Sequence, residues 1–228
     1  DLLVSTTTPK GVRVTPYYEH GGITIYHGDC REVLPTLAAD VVLTDLPYGI
    51  GLDYGTEFED TPAYLDELVV EALPLMLAAA PVVAFTCGIT NIWRFPPPRW
   101  VLCWYQTNAV GSRGFWGFNV WQPILVYGTD PYLRLGLGAR PDLVATAAPN
   151  TGKDKKLGHP CPKPTESWVK VLHRVSPAES DVILDPFMGS GTTLVAAKYS
   201  GRRAIGVDID ERFCEIAANR LGQEVLAL

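Results

Sequence analysis

Asp185-Pro186-Phe187-Met188-Gly189-Ser190-Gly191-Thr192-Thr193 lies between an apolar run, Val182 to Leu184, and a segment of helical spacing that follows Gly191. A strand, a glycine turn and a helix in that order form the unit from which α/β sheets are assembled. Glycines at 189 and 191 let backbone approach a ligand closely, and a helix opening near Thr192 offers unpaired N–H groups to negative charge. A small anionic or zwitterionic cofactor suits such a turn. It is not a triphosphate-binding loop, because no Gly-Lys-Ser/Thr follows. Further on, the strand Ala204 to Val207 ends at Asp208, where doubly wound sheets hold ribose hydroxyls. Asp210 reads as the N-cap of a last helix reaching Leu221.

Working toward the N-terminus, Thr165 to Val175 has helical spacing, whereas Pro131 to Pro164 reads as a long loop rich in Gly, Pro, Asn and Lys. Val120 to Tyr127, Val101 to Gln106 and Val82 to Thr86 are strand-like. Thr61-Pro62 starts a helix that Pro74 is expected to kink or end. Val41 to Thr44 is too short for a helix and continuously apolar, as a strand buried on both faces would be. Ile23 to Tyr26 is a further short strand, after which Asp29 and Glu32 form a capping pair for a helix through Leu37. Strands alternating with helices predict an α/β domain with a mostly parallel, doubly wound sheet.

The buried strand ends in Thr44-Asp45-Leu46-Pro47-Tyr48-Gly49. Proline fixes the backbone so that the Asp45 carboxylate and the Leu46 carbonyl can point the same way, beside the flat face of Tyr48. An amino group lying on that face could donate one hydrogen to each oxygen. A plain turn closing a strand, with a core tyrosine, is the competing reading for this tetrapeptide. Gly49 to Asp60, rich in glycine and acid, is expected to form a mobile cover over the pocket.

The 228 residues are 47% hydrophobic and 19% charged, which excludes a disordered chain. Five cysteines, an odd number with no Cys-x-x-Cys pair, fit free thiols rather than a disulfide framework. His159 and Cys161 lack a second pair at ligand spacing, so no metal is expected. Ala72 to Trp93 is uncharged but broken by Pro74 and Pro81, so it reads as core rather than as a membrane span. Without a signal pattern, a cytoplasmic protein is expected, of a prokaryotic or phage-infected cell.

The net charge of -6 argues at first against an anionic partner. Its distribution argues otherwise. Residues 1–90 carry 3 basic and 13 acidic residues, residues 91–175 carry 11 and 4, and residues 176–228 carry 5 and 8. A basic insert therefore lies between two acidic blocks.

Asp45-Leu46-Pro47-Tyr48 resembles the Asp-Pro-Pro-Tyr motif of amino-group DNA methyltransferases, and Asp185 to Thr193 resembles their S-adenosylmethionine loop. His159-Pro160-Cys161-Pro162-Lys163-Pro164 is similar to their His-Pro-x-x-Lys-Pro stretch, and Gly28-Asp29-Cys30 to the element before the catalytic strand. The catalytic motif precedes the cofactor loop, the order of the β group of these enzymes. The resemblance covers residues 17–60 and 157–222. It implies a circularly permuted Rossmann-like methyltransferase fold in one catalytic domain, 1–228, with a target-recognition insert at 91–158 and a cofactor-binding half at 159–228.

By that resemblance, Asp45, Leu46, Pro47 and Tyr48 are catalytic. S-adenosylmethionine is expected on Asp29, Cys30, His159, Lys163, Asp185, Phe187, Gly189, Ser190, Gly191, Thr192, Thr193 and Asp208. Asp208 would take the ribose, Asp29 the adenine end and Lys163 the methionine carboxylate. The partner implied is double-stranded DNA, with Arg99, Arg113, Lys153, Lys155 and Lys156 as phosphate contacts. A homodimer or a cognate restriction nuclease is compatible with this, as is a solitary or phage-borne enzyme. Aspartate at the first motif position goes with N6-adenine methylation in the family and serine with N4-cytosine. Leu46 departs from the motif, bringing an N–H where the family has proline. An N4-cytosine enzyme and a non-catalytic DNA-binding module are the alternatives. Trp116, Phe118 and Trp121 alternate as strand residues do, which suits core packing at least as well as base contact.

Overall fold

A computed structural model describes residues 15–54, 59–107, 113–114, 116–147 and 163–222. Along the chain these form β1 (Tyr18–His20), β2 (Ile23–His27), α1 (Cys30–Val33), β3 (Val41–Asp45), α2 (Pro62–Ala79), β4 (Val82–Thr86), β5 (Trp100–Thr107), β6 (Arg113–Gly114) and β7 (Gly117–Phe118). There follow β8 (Trp121–Gly128), α3 (Pro131–Arg134), β9 (Leu143–Ala147), α4 (Thr165–Val175), β10 (Val182–Asp185), α5 (Thr192–Tyr199), β11 (Arg203–Asp208) and α6 (Glu211–Gly222).

Nine strands make one sheet in the order β1-β2-β11-β10-β3-β4-β8-β5-β9, while β6 and β7 form a separate two-stranded ribbon. From β2 to β4 all neighbours are parallel. β8 then runs antiparallel to both β4 and β5, and β9 is parallel to β5. Alternate residues of the central strands supply the two cores. Val41 and Leu43 of β3 pack with Trp168, Leu172, Leu194 and Ala217 of α4, α5 and α6. Val42 and its neighbour Leu184 of β10 face Leu65, Leu68 and Met76 of α2. The α/β doubly wound architecture expected from the sequence is the one observed.

One local expectation is narrowed and two are revised. Helix α2 does not end at Pro74 but runs to Ala79. The carbonyl that proline leaves without an N–H is that of Val70, which is 72% exposed and open to water, while Leu73 and Met76 on the opposite face remain buried. The helix after Asp29 is α-helical only to Val33 and tightens to a 3-10 turn over Leu34–Thr36, where Pro35 removes an intrahelical donor. The loop expected from Pro131 contains β9, an edge strand that alternates exposed and buried residues and hides only Val144 and Thr146.

β10 and β3 are adjacent although they lie far apart in sequence. From β10 the chain continues to β11 on one side, and from β3 to β4 on the other. The crevice beyond their carboxyl ends is the place where open α/β sheets bind ligands.

Candidate active site

The carboxyl edge of the parallel strands carries a row of oxygen-bearing side chains. Asp208 ends β11, Asp185 ends β10, Asp45 ends β3 and Thr86 ends β4, while Asp29 follows β2. At the switch between β10 and β3, the Thr44 hydroxyl donates to Asp185 Oδ1 at 2.6 Å. This bond ties the glycine turn to the strand that carries the Asp-Leu-Pro-Tyr motif.

The glycine turn is held from within. Gly189 N–H donates to Asp208 Oδ2 at 2.8 Å and Asp210 N–H to Asp208 Oδ1 at 2.9 Å. Gly191 has φ +78°, and a Cβ there would sit 2.7 Å from that of Ala217 on α6, so only glycine fits. Ser190, Thr192 and Thr193 are buried and line the cleft, but their hydroxyls are engaged by protein. Ser190 Oγ accepts from Arg220, Thr192 Oγ1 lies 3.4 Å from the Lys163 carbonyl, and Thr193 Oγ1 accepts from Trp168 Nε1 at 2.8 Å. Burial pushes Asp185 up to about 6 despite hydrogen bonds from Thr193, Thr44 and Phe187 N–H. Asp208 is likewise pushed up to about 6 by burial, against its two backbone donors.

Asp29 caps α1, accepting from Arg31 N–H at 2.9 Å, and pairs with the Arg31 guanidinium at 2.6 Å. Burial opposes ionisation of Asp29, but the hydrogen bonds and charge of Arg31 hold its carboxyl below the usual value. Cys30 beside it is buried, and that burial pushes its thiol up to about 12.

At the motif, the Tyr48 hydroxyl lies 2.9 Å from both Asp45 Oδ1 and Gln122 Oε1. Thr86 Oγ1 also donates to Asp45 Oδ1, and Lys163 Nζ forms an ion pair with Asp45 Oδ2. Burial, with the Asp45 charge adding to it, raises the Tyr48 phenol. The Tyr48 ring packs on Gly88, where a Cβ would sit 3.2 Å from its edge and φ is +75°. Asn91 Nδ2 donates to the Tyr48 carbonyl at 2.7 Å. Leu46, the departure from proline, is 5% exposed, and its N–H donates to the Thr86 carbonyl of β4 at 3.2 Å. The extra donor is thus satisfied and the backbone is tied to the sheet. Asp60 accepts from the N–H groups of Gly49, Ile50 and Leu52 at 2.7, 3.2 and 3.1 Å. These bonds join the two ends of the expected cover, of which residues 55–58 lie outside the described residues.

These parts line one cleft of about 510 Å³. Asp29, Cys30, Asp185, Phe187, Gly189 and Asp208 stand along it with Asp45, Leu46, Pro47 and Tyr48. Lys163 lines it too, with its ammonium paired to the Asp45 carboxylate. Arg99 is not brought here. It precedes β5, and the seven residues from it to Gln106, which reaches the cleft, span about 23 Å of strand, so it lies at the opposite edge of the sheet with Trp100 and Arg140. Arg113 is on β6, and its side chain lies outside the described residues, as do Lys153, Lys155, Lys156 and His159. Thr44, Thr86, Asn91 and Gln122 are site residues that sequence reasoning missed. For the two threonines, position at a strand end was the available signal; for Asn91 and Gln122 there was none.

The sequence and the fold have counterparts among known proteins. Type II methyltransferase M.ScaI of Streptomyces caespitosus is 26% identical over 262 residues, spanning 93% of this chain and 86% of its own length. Type II methyltransferase M.HpaI of Haemophilus parainfluenzae is 27% identical over 221 residues, spanning 81% of this chain and 68% of its own. Among solved structures, the M1.HpyAVI–SAM complex superposes with a TM-score of 0.64 at 21% identity, covering 88% of this chain and 100% of that one. The cytosine-N4-specific PvuII DNA methyltransferase gives 0.67 at 14% identity, covering 94% and 91%. At these identities the structural likeness is one of fold. The family model described as DNA methylase, of the N6/N4 methyltransferases, matches residues 88–219, more than half of the chain. The chain belongs to the N6/N4 DNA methylase family.

Proposed function

We propose that the protein transfers a methyl group from S-adenosylmethionine to the exocyclic N6 amine of an adenine in double-stranded DNA. The observation that carries this reading is the continuity of one cleft from the glycine turn to Asp45, with the Thr44–Asp185 bond joining its two halves. The donor set fits the cofactor. Carboxylates at Asp29, Asp185, Asp208 and Asp45 suit a cationic sulfonium, and the close backbone at Gly189 admits its methionine end. Asp208 would hold the ribose, Asp29 the adenine end, and Phe187 and Gly189 the methionine part. When bound, the cofactor supplies an electrophilic methyl group.

The chain's own residues then act on the amine. Its lone pair is delocalised into the ring, so hydrogen bonds to Asp45 and to the Leu46 carbonyl would favour a pyramidal nitrogen and direct the lone pair outward. A carboxylate has about four lone-pair sites, and three are taken by Tyr48, Thr86 and Lys163, which leaves one for the amine. Lys163 places its positive charge directly against Asp45 Oδ2. The work is positioning and electrostatics. A paired base hides its amine, so the target nucleotide turns out of the duplex and stacks on Tyr48.

The test is expression in a host without DNA methylation, with modified bases mapped by sequencing and nucleosides identified by mass spectrometry. N6-methyladenine within one sequence context is expected. N4-methylcytosine alone would transfer the reading to the other amine, and unmodified DNA would leave a binding module on a methyltransferase fold.

A further inference from the structure

Trp104 and Phe95 of the insert are buried in the two cores, but two of its aromatic side chains are not. Trp116, in the turn between β6 and β7, is 102% exposed, and Phe118 on β7 is 62% exposed. A fully solvated tryptophan gives up the largest apolar contact area that a side chain can offer, so its position calls for a partner. Three observations identify which. The ribbon joins the end of β5 to the start of β8, both at the sheet edge where Asp45 lies, and Asn119 to Gln122 continue directly from it into the wall of the cleft. Gln122 lies 2.9 Å from the Tyr48 hydroxyl, and six residues of extended chain reach up to about 20 Å from there to Trp116. The ribbon also belongs to the segment 91–175, with 11 basic and 4 acidic residues, which complements a polyanion.

We propose that the β6–β7 ribbon enters a groove of duplex DNA and that Trp116 inserts into the base stack at the gap left by the target nucleotide, a positioning residue that keeps the base in the cleft. This rests on the DNA-methylating reading above. A two-stranded ribbon fits the major groove, about 12 Å wide, and an apolar wedge between base steps offsets part of the unstacking cost of base extrusion. Phe118 would widen the apolar contact on the same ribbon.

The experiment uses synthetic duplexes carrying the mapped site, one fully paired and one with a mismatched base opposite the target, which lowers the cost of extrusion. Stacking of an aromatic on a base predicts that Trp116→Ala lowers kcat/KM on the paired duplex about tenfold to a hundredfold. The mismatched duplex is expected to restore most of that loss, and Trp116→Phe to retain most of the activity. Cofactor affinity, read by calorimetry, is expected to be unchanged, because Trp116 is outside both cores. An undiminished rate, or equal losses on the two duplexes, would overturn the wedge. So would a change in sedimentation of Trp116→Ala without mismatch rescue, which would mark a contact between copies of the chain. Mismatch-dependent loss in Trp93→Ala instead, at the other highly exposed tryptophan, 87% accessible on the turn after β4, would likewise overturn it. Failure of the underlying reading is separately visible, since the unsubstituted protein would then methylate neither duplex.

Discussion

The two ends of the cleft are built in opposite ways. Around the glycine turn, Ser190, Thr192, Thr193, Asp185 and Asp208 are buried or nearly so, and each has its polar atoms bonded to backbone or to neighbouring side chains. Toward the insert, Trp116 and Phe118 stand in solvent, as does Ile50 after the motif, and the wall is made by strands that begin or end at the cleft. A site for a ligand of fixed shape is preorganised in the core. A surface for a long, variable polymer is left extended and open. Asp45 lies where the two meet.

The comparison breaks most severely at that junction. Asp45→Ala removes the proposed acceptor for the amine, and methyl transfer to DNA is expected to fall about a hundredfold to a thousandfold while calorimetric cofactor affinity stays near its original value. Equal losses in transfer and in cofactor affinity would place Asp45 in the preorganised end instead.

Gly191→Ala tests that end directly. The substituent meets Ala217 in a backbone conformation with φ +78°, so a loss of about 1–3 kcal/mol in stability is expected, read as a lower thermal midpoint together with weaker cofactor binding. A gain in stability would show the turn to be less constrained than its contacts require.

Acidity offers a third probe. Asp208 sits at about 6 in the protein, so it is largely protonated below that pH, and a neutral carboxyl loses its attraction for a cationic ligand. Cofactor affinity is expected to be level above about pH 6 and to fall below it by up to about tenfold per pH unit for each such group, with Asp208→Asn flattening that dependence. The stability sign is opposite. A carboxyl raised above its ordinary 3.8 favours the folded state at low pH, and that contribution is lost as the pH rises through about 6. An affinity that rose on acidification would exclude Asp208 from the ligand's surroundings. The smallest effect is expected from Gln122→Ala, which removes one partner of the Tyr48 hydroxyl and should cost about fivefold in transfer rate, corresponding to about 1 kcal/mol.

The preorganised end was the more legible of the two in the sequence. Strands such as Val41–Asp45 and Val182–Asp185 announce themselves by uninterrupted apolar runs, and their terminal aspartates follow from counting along them. Thr86 and Gln122 were invisible because they touch the motif only through strand neighbours 41 and 74 residues away. Lys163 was placed by its motif but not by its contact with Asp45, which depends on how α4 is entered. Edge strand β9 escaped because a strand buried on one side at two positions leaves little apolar signal. Leu46 shows the converse. Read alone it weakens the motif, yet the Thr86 carbonyl on the next strand gives its N–H a partner.

The hydroxyl of Thr44, bonded to a carboxylate 141 residues away, joins the two ends of the cleft by one direct contact. Any occupant of the glycine turn that shifts this bond changes the free energy of the base-binding end, and by linkage the base must then alter cofactor affinity by the same factor. A Thr44→Val protein should therefore show cofactor affinities with and without DNA that lie closer together than in the parent. The strength of that coupling would then be a property of one short hydrogen bond at a topological switch.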